Sequence, residues 1–207
     1  MEYEVRFYYS LDEYKNKVKE INDINLLKQN ERKYEKTIQY NHSDSKYNFY
    51  SKEIDGRFRI RLTKGKKKTS CMISWKRRIK ERVNNEINME EEKELTINPN
   101  EYDNLIFIME NVLHFKRIES YERYRTTFTN SEIEISLDEY PFGLALEIEA
   151  KSDKNQKNII DKYVKLLNLD YKDSYKLSFD DKYAELCKLQ NKKVYKDVLF
   201  NKDMPKI

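Results

Sequence analysis

Residues 57–62 read Arg-Phe-Arg-Ile-Arg-Leu, so three arginines alternate with three apolar side chains. Because neighbouring side chains of a β-strand point to opposite faces, this spacing predicts a strand with one charged and one apolar face. The guanidinium group of arginine carries a planar fork of donors that matches phosphate oxygens. The charged face of this strand is therefore suited to bind a phosphate group.

The same alternation recurs in other segments of the chain. In any single strand, an ordinary sheet with its charged face in water would explain the pattern. Taken over all these strands, however, the charged face is mostly acidic in some strands and mostly arginine in others. A face that is merely exposed to water would not need this separation. The positions on this face are Glu2, Glu4, Arg6, Lys76, Arg78, Glu90, Glu92, Glu94, Arg123, Arg125, Glu134, Ser136, Asp138, Glu147 and Glu149.

A closed barrel with its charges inside accounts for the pattern better than an open sheet. With the segments 37–40 and 47–51, the strands number about eight, and closure removes the edges of the sheet. We predict an α+β fold: a closed antiparallel eight-stranded barrel with a charged lumen, flanked by helices. Crowded charges are costly unless paired, so the acids should hold cations and the bases an anion. Carboxylate clusters favour hard ions such as Mg²⁺ or Mn²⁺.

Four segments show helical spacing. Ser10 to Glu13 forms a capping-box pattern, and Asn98 to Glu101 supplies an N-cap and a proline at the first helical position. Helices are also predicted over 152–167 and near 180–189. Residues 191–207 lack a clear period, so we expect one domain over 1–190 and a tail over 191–207.

Composition excludes several classes of protein. A chain of 207 residues favours one domain, and a net charge of +4 is not the strongly basic balance of a nucleic-acid binder. Cys71 and Cys187 lie far apart and are expected to be free thiols of a reducing compartment. No apolar run approaches the roughly 18–20 residues of a membrane span, and the start does not read as a signal peptide. We therefore expect a cytoplasmic protein with no membrane partner.

An ordered set of motifs resembles the CYTH family, also called triphosphate tunnel metalloenzymes. The resemblance runs from residue 2 to about residue 186. Arg6 and Arg123 stand where the family has lysine, and the two residue types are not interchangeable. The motifs are Glu2-Tyr3-Glu4-Val5-Arg6 (like ExExK), Arg57 to Arg61 (RxR), Ser74-Trp75-Lys76 (TWK), Ser120 to Arg125 (YxKxR), Leu137 to Glu149 (LDELPFG…EIE) and Asp173-Ser174-Tyr175.

The resemblance implies a site and a reaction. Metal ions would neutralise phosphate oxygens, basic residues would hold the phosphate chain in line, and water would attack the terminal phosphorus. Glu2, Glu4 and Lys76 would be catalytic. The implied metal ligands, for Mg²⁺ or Mn²⁺, are Glu2, Glu4, Glu92, Glu94, Asp138, Glu147 and Glu149. The implied substrate-binding residues are Arg6, Arg57, Arg59, Arg61, Lys76, Arg78, Arg123 and Arg125.

Several functions fit these motifs. We favour hydrolysis of a small triphosphate such as tripolyphosphate or a nucleoside triphosphate. The alternatives are a class IV adenylyl cyclase, a non-catalytic nucleotide or polyphosphate sensor, and an RNA 5′-triphosphatase. The last is the only form of nucleic-acid partner we consider. The sequence leaves open the substrate, the choice between the two metals, the choice between Glu92 and Glu94 as ligand, and whether the protein is a monomer or a homodimer.

Overall fold

The computed structural model describes residues 2–49, 56–78, 88–151 and 155–207, and within these the side chains of Glu2, Arg78 and residues 88–90 are left undescribed. Eight long strands form one curled antiparallel sheet, to which two strands of two residues are added. The strands are β1 (Glu2–Tyr9), β2 (Lys28–Gln29), β3 (Lys33–Asn41), β4 (Gly56–Lys64), β5 (Thr69–Arg78), β6 (Asn88–Ile97), β7 (Lys116–Thr129), β8 (Ile133–Tyr140), β9 (Gly143–Ala150) and β10 (Asp197–Val198).

The helices lie where helical spacing predicted them. Ser10 binds Asp12 instead of capping backbone, so the predicted capping box is absent there. Within the described ranges, no helix is both long and apolar enough to cross a membrane. The helices are α1 (Tyr14–Asp23), α2 (Tyr102–Phe107, continued by a π-helical turn over Ile108–Val112), α3 (Gln156–Leu166) and α4 (Phe179–Leu189).

The sheet has the order β7-β3-β4-β5-β6-β1-β9-β8, and β8 pairs back with β7. In the described residues, β1 pairs with β9 over seven positions but with β6 over three, Glu2–Glu90 to Glu4–Asn88. In this register Glu2 lies opposite Glu90, so the rest of β6, residues 91–97, extends past the start of β1 and does not pair with it. The eight strands therefore form a curled half-barrel, and the predicted closed barrel is corrected to a sheet with a tunnel-like concave face.

Two helical layers cover the convex face of the sheet. Val5, Phe7 and Ile148 are buried there against α1 and α3, and Ile38 and Ile60 are buried near α2. These are the apolar positions of the alternating strands, and burial of such side chains is the main favourable contribution to folding. The apolar half of the predicted alternation is confirmed.

One end of the concave face is aromatic and receives α4. Tyr121 and Tyr140 are buried there with Tyr183 and Leu186 of α4. The tail also returns to the sheet, because β10 pairs with β7 and Met204 is buried. The boundary at residue 190 stays a prediction.

One predicted strand is wrong and another is too short. Ser45–Tyr47 forms a 3₁₀ turn where a strand was expected from Tyr47, and residues 50 and 51 lie outside the described part of the chain. The strand predicted over 37–40 is the centre of β3, which begins at Lys33. This longer strand places a further acid, Glu35, on the concave face.

Candidate functional site

The concave face encloses a cavity of about 250 Å³. Most of the predicted site residues line it, although their roles stay predictions. Asp138 is on the same face of β8 as Glu134 and Tyr140 but is not one of the lining residues, and the side chains of Glu2 and Arg78 are outside the described part of the structure. The predicted residues at the cavity are Glu4, Arg6, Arg57, Arg59, Arg61, Lys76, Glu92, Glu94, Arg123, Arg125, Glu147 and Glu149; Tyr121, Glu134, Tyr140, Ser178, Phe179 and Asp180 join them.

Strand register brings acids together on one side of the cavity. Glu4 of β1 lies opposite Glu149 of β9, and Glu149 lies opposite Glu134 of β8. Opposed residues of neighbouring strands are about 4.5–5.5 Å apart at their β-carbons, and like charges so placed repel. Glu134 follows the sequence alternation but has no counterpart in the motifs used to select the metal ligands.

Arg6 and Arg125 form ion pairs with Glu147, the neighbouring acid of β9 on the cavity side. The Arg6 Nε–Glu147 Oε1 distance is 2.6 Å, and Arg125 Nη2 lies 2.9 Å from Glu147 Oε2. Arg6 Nη2 also lies 3.1 Å from Glu4 Oε1. Burial alone would raise the pKa of Glu147, but the guanidinium charges, that of Arg6 first, outweigh it and lower this pKa well below its ordinary value.

A second ion-pair network joins the cavity-lining Arg123 and Arg125 to two buried acids. Asp138 is fully buried and accepts hydrogen bonds from Arg123 Nη1 at 2.7 Å and from Arg125 Nε at 2.6 Å. Arg123 Nε donates to Glu35 Oε2 at 2.7 Å. Burial opposes the charge of Glu35, yet Arg123 and Arg61 lower its pKa overall. Glu35 escaped sequence analysis because β3 was predicted to begin two residues after it.

Arg59 and Arg61 of β4 have no such close carboxylate among the described residues. Arg59 lies 3.8 Å from Glu92, and Arg61 lies 3.9 Å from Glu35. The Nε of Arg59 is buried and has no hydrogen-bond partner within the described part of the chain. A buried donor in that state loses its hydration without compensation, so the position favours an incoming acceptor.

Strand register explains this difference between the arginines. Arg59 lies opposite Gln39 and Ser74, and Arg61 lies opposite Thr37 and Met72, all of which are uncharged. Arg6, in contrast, lies directly opposite Glu147, and Arg125 lies opposite Asp138. The cavity therefore has an acid-rich side and a side where arginine charge is only loosely balanced.

Aromatic rings and the first turn of α4 close one end of the cavity. Tyr140 stacks between Phe142 and Phe179, with ring centroids 5.3 Å apart on each side. The ring of Tyr121 lies 4.2 Å from that of Phe179. Ser178 and Asp181 form a capping box that fixes the start of α4. Sequence analysis placed this helix but had no signal for its position at the cavity.

The acid-rich side of the cavity has carboxylates, which are suitable ligands for a divalent cation, and strand register places them on neighbouring strands. Their side chains, however, are not gathered around one point. Carboxylates are the ligands that Mg²⁺ and Mn²⁺ prefer, and an opposed row of Glu4, Glu149 and Glu134 gains from a positive ion. Among the described residues, no group of three or more ligating side chains is in position to hold a metal. Arg6 contacts both Glu4 and Glu147, so a cation bound by these two acids would share their carboxylates with this guanidinium.

Comparison with known proteins identifies the fold. No family profile and no curated protein sequence matches the chain. A conserved hypothetical protein of Pyrococcus furiosus is similar in structure, with a TM-score of 0.67, 16% identity, and coverage of 86% of this chain and 98% of that one. A candidate adenylyl cyclase from Hippeastrum, described as having a dominant triphosphatase activity, gives 0.59 and 16%, with 94% and 98% covered.

A third similar structure is a candidate adenylate cyclase of Vibrio parahaemolyticus, with a TM-score of 0.59, 16% identity, and coverage of 86% of this chain and 96% of that one. These likenesses extend over almost the whole length of each neighbour. They confirm the predicted resemblance at the level of the fold: the chain has a CYTH-type fold.

Proposed function

We propose that the chain hydrolyses a small triphosphate in the concave cavity with the help of a divalent cation. The observation that carries the proposal is the pair Arg59 and Arg61, whose guanidinium groups are loosely balanced in a cavity that also presents a row of carboxylates. Arginine binds phosphate oxygens in two parallel hydrogen bonds, so two arginines two residues apart on one strand suit an extended phosphate chain. A cavity of about 250 Å³ suits a small ligand.

Each side of the cavity has its own part in this proposal. Arg59 and Arg61 hold the phosphate chain and fix its direction, and Lys76 of β5 lines the same cavity. Glu4, Glu149 and Glu134 would hold the cation, which would offset charge on the phosphate oxygens. Positioning and electrostatic stabilisation account for most of the catalysis of phosphoryl transfer, so no nucleophilic side chain is needed.

The aromatic end of the cavity favours hydrolysis over cyclisation. Cyclisation of ATP requires the ribose hydroxyl to lie in line with the α-phosphorus, and hence a pocket that orients the nucleoside. Both faces of Tyr140 are covered by Phe142 and Phe179, so this ring offers no face to a base. The Hippeastrum neighbour, in which a triphosphatase activity is described as dominant, supports the same choice through the shared fold.

The test is a panel of triphosphates incubated with purified protein and Mg²⁺ or Mn²⁺, with products separated by chromatography. We expect release of orthophosphate, its loss in EDTA, and its recovery when metal is restored. Cyclic AMP with pyrophosphate as the main products would replace this proposal by the cyclase, and full turnover in chelator would remove the metal. Binding without turnover of any triphosphate would leave a sensor.

Glu149→Gln separates the catalytic role of the acids from a structural one. The substitution removes the central charge of the acidic row at nearly constant volume. We expect turnover to fall by about two or more orders of magnitude, as for loss of a group that stabilises the transition state. The binding of triphosphate by Arg59 and Arg61 should remain, which a collapsed cavity would not allow.

A further inference from the structure

Tyr121 lies in the cavity wall among the arginines that the proposed function assigns to the phosphate chain. Its residue is 2% exposed, and its ring is fixed between Phe179 at 4.2 Å and Tyr140 at 6.0 Å between ring centroids. Its phenol group contacts the hydroxyl of Thr37 and the guanidinium of Arg59. Tyr121 is one of the cavity-lining residues, so an anion held in the cavity lies close to this phenol.

The surrounding charge makes this phenol unusually acidic. Burial alone would raise the pKa of Tyr121, but Arg59, Arg61 and Arg123 outweigh burial and lower the pKa to about 8. Tyr140, in the wall of the same cavity, shows the opposite shift, because burial dominates and raises its pKa. The difference follows from position: among the described residues, the carboxylates paired with Arg59 and Arg61 lie 3.8 Å and 3.9 Å away, whereas the phenol oxygen of Tyr121 is hydrogen-bonded to Arg59.

We propose that Tyr121 takes up a proton from solvent when a triphosphate binds in mildly alkaline solution: there, as tyrosinate, it balances the charge of Arg59 and Arg61 in the free protein, and the bound polyanion takes its place and leaves it protonated. The proton comes from water or buffer, the phenol O–H bond forms, and no bond of the triphosphate breaks in this step. Tyr121 is thus a site of linked proton uptake within the phosphate-binding surface. This inference rests on the proposed function, because it takes the same two arginines as the anion site.

Other ionisable groups face the same region and must be separated from Tyr121. Glu119 of β7 is the main one, since burial and the nearby charge of Asp180 raise its pKa to about 8. Its Oε1 has no hydrogen-bond partner among the residues that the structure describes. An anion near Arg59 would also favour protonation of Glu119. The charged or titratable groups around Tyr121 are Arg59 and Arg61 of β4, Glu119 and Arg123 of β7, Glu35 of β3, Tyr140 of β8 and Asp180 of α4.

Tyrosinate absorbance and proton uptake test the proposal with metal-depleted protein and inorganic tripolyphosphate as the probe. Near-ultraviolet absorbance reports tyrosinate and is blind to carboxyl groups. We expect one tyrosine of the free protein to ionise near pH 8. Tripolyphosphate added at that pH should abolish this tyrosinate signal, and calorimetry in buffers of different ionisation enthalpy should show proton uptake.

Three variants assign the signal. Tyr121→Phe should lose the tyrosinate titration, while Tyr140→Phe, altered in the same cavity, should keep it. Glu119→Gln should remove only the carboxyl share of the proton uptake. Because binding takes up a proton, the affinity of the wild type for tripolyphosphate should fall as the pH rises above about 8. The decline should be steeper than in Tyr121→Phe by up to about tenfold per pH unit. Tripolyphosphate itself also ionises, but its ionisation contributes equally to the measurements on the wild type and on Tyr121→Phe, so it does not affect the comparison.

A substitution outside Tyr121 covers the case in which Tyr121→Phe fails to fold. Arg61→Gln removes a nearby positive charge and should move the tyrosinate titration to higher pH. Tripolyphosphate binding with unchanged tyrosinate absorbance, or with equal proton uptake in Tyr121→Phe, would overturn the role of Tyr121 and leave the proposed function standing. Failure of wild-type protein to bind tripolyphosphate would overturn both.

Discussion

The cavity contains two groups of arginines that differ in their partners. Arg6, Arg123 and Arg125 each lie 2.6–2.7 Å from a carboxylate. Arg59 and Arg61 of β4 lie 3.8 Å and 3.9 Å from theirs. All five point to the same concave face, so alternation along the strand does not distinguish them. Their cross-strand neighbours do. Those of Arg59 and Arg61 are uncharged, whereas each arginine of the first group lies opposite an acid: Arg6 opposite Glu147, Arg123 opposite Glu35 and Arg125 opposite Asp138.

The difference separates arginines that hold the fold from arginines that are available to a ligand. A buried ion pair is strongly destabilised when one partner is removed, because the other is left as an uncompensated charge. A loosely paired arginine contributes little to stability but gains much from a phosphate group. The two groups should therefore respond to substitution in different measurements.

The largest effect is expected from Arg123→Met. This change leaves Glu35 and Asp138 buried without their shared partner. The free energy of unfolding should fall by about 3–5 kcal/mol. Denaturant titration measures it, and Arg61→Met, which lacks a close carboxylate, is the matched control with an expected change within about 1 kcal/mol. Equal losses in the two variants would remove the distinction between the groups.

Ile60→Ala tests the opposite face of the same strand. Ile60 lies between Arg59 and Arg61 in sequence, but its side chain is fully buried against α2. Its truncation should cost about 2–5 kcal/mol of unfolding free energy, because it removes packed atoms and leaves a cavity. The affinity of the folded variant for tripolyphosphate should be unchanged. A stable Ile60→Ala protein with poor binding would mean that β4 faces the other way.

Arg61→Met should act on the ligand instead. Loss of a charge-assisted hydrogen bond costs about 1.5–3 kcal/mol, which corresponds to about a ten- to hundredfold increase in the KM for triphosphate. Steady-state kinetics measure this, provided that the substrate is saturable. Arg61→Lys keeps the charge but not the planar fork, and we expect it to recover only part of the affinity. Full recovery would show that charge alone suffices.

The smallest effect is on the pH dependence of stability. The pKa of Glu35 is lowered in the folded protein, so its contribution to stability is complete above its unfolded pKa. That contribution is lost as the pH falls below roughly 4–5 towards the folded value. Unfolding measured over this range should show a flatter decline for Glu35→Gln than for the wild type. An identical slope would place Glu35 outside the ion-pair network.

Alternation in the sequence predicted most of the strands and the charged concave face, and helical spacing predicted the flanking helices, because these depend on local spacing. It did not predict which acid holds which arginine, since that follows from strand register. Glu35 is an example: its partner Arg123 is far away in sequence, and the start of β3 was placed too late to include it. The open sheet depends likewise on the short β1–β6 pairing.

Strand register also bears on the roles that the motifs imply for individual side chains. The motifs predict Asp138 as a metal ligand, and this role stays a prediction; in the structure its carboxylate accepts hydrogen bonds from Arg123 and Arg125. Glu134 was outside the motifs, yet it lies beside Glu149 at the cavity. A side chain on the correct face of a strand can thus serve either the fold or the site, and only its neighbours on adjacent strands separate the two.

The central claim is that Arg59 and Arg61 form the phosphate-binding surface. Calorimetric titration of tripolyphosphate into metal-depleted protein tests it most directly, with the double variant Arg59→Met/Arg61→Met compared with the wild type. We expect saturable binding by the wild type and a loss of affinity of at least about a hundredfold in the double variant, whose far-ultraviolet circular dichroism should be unchanged. Equal affinity of the two proteins would contradict the claim.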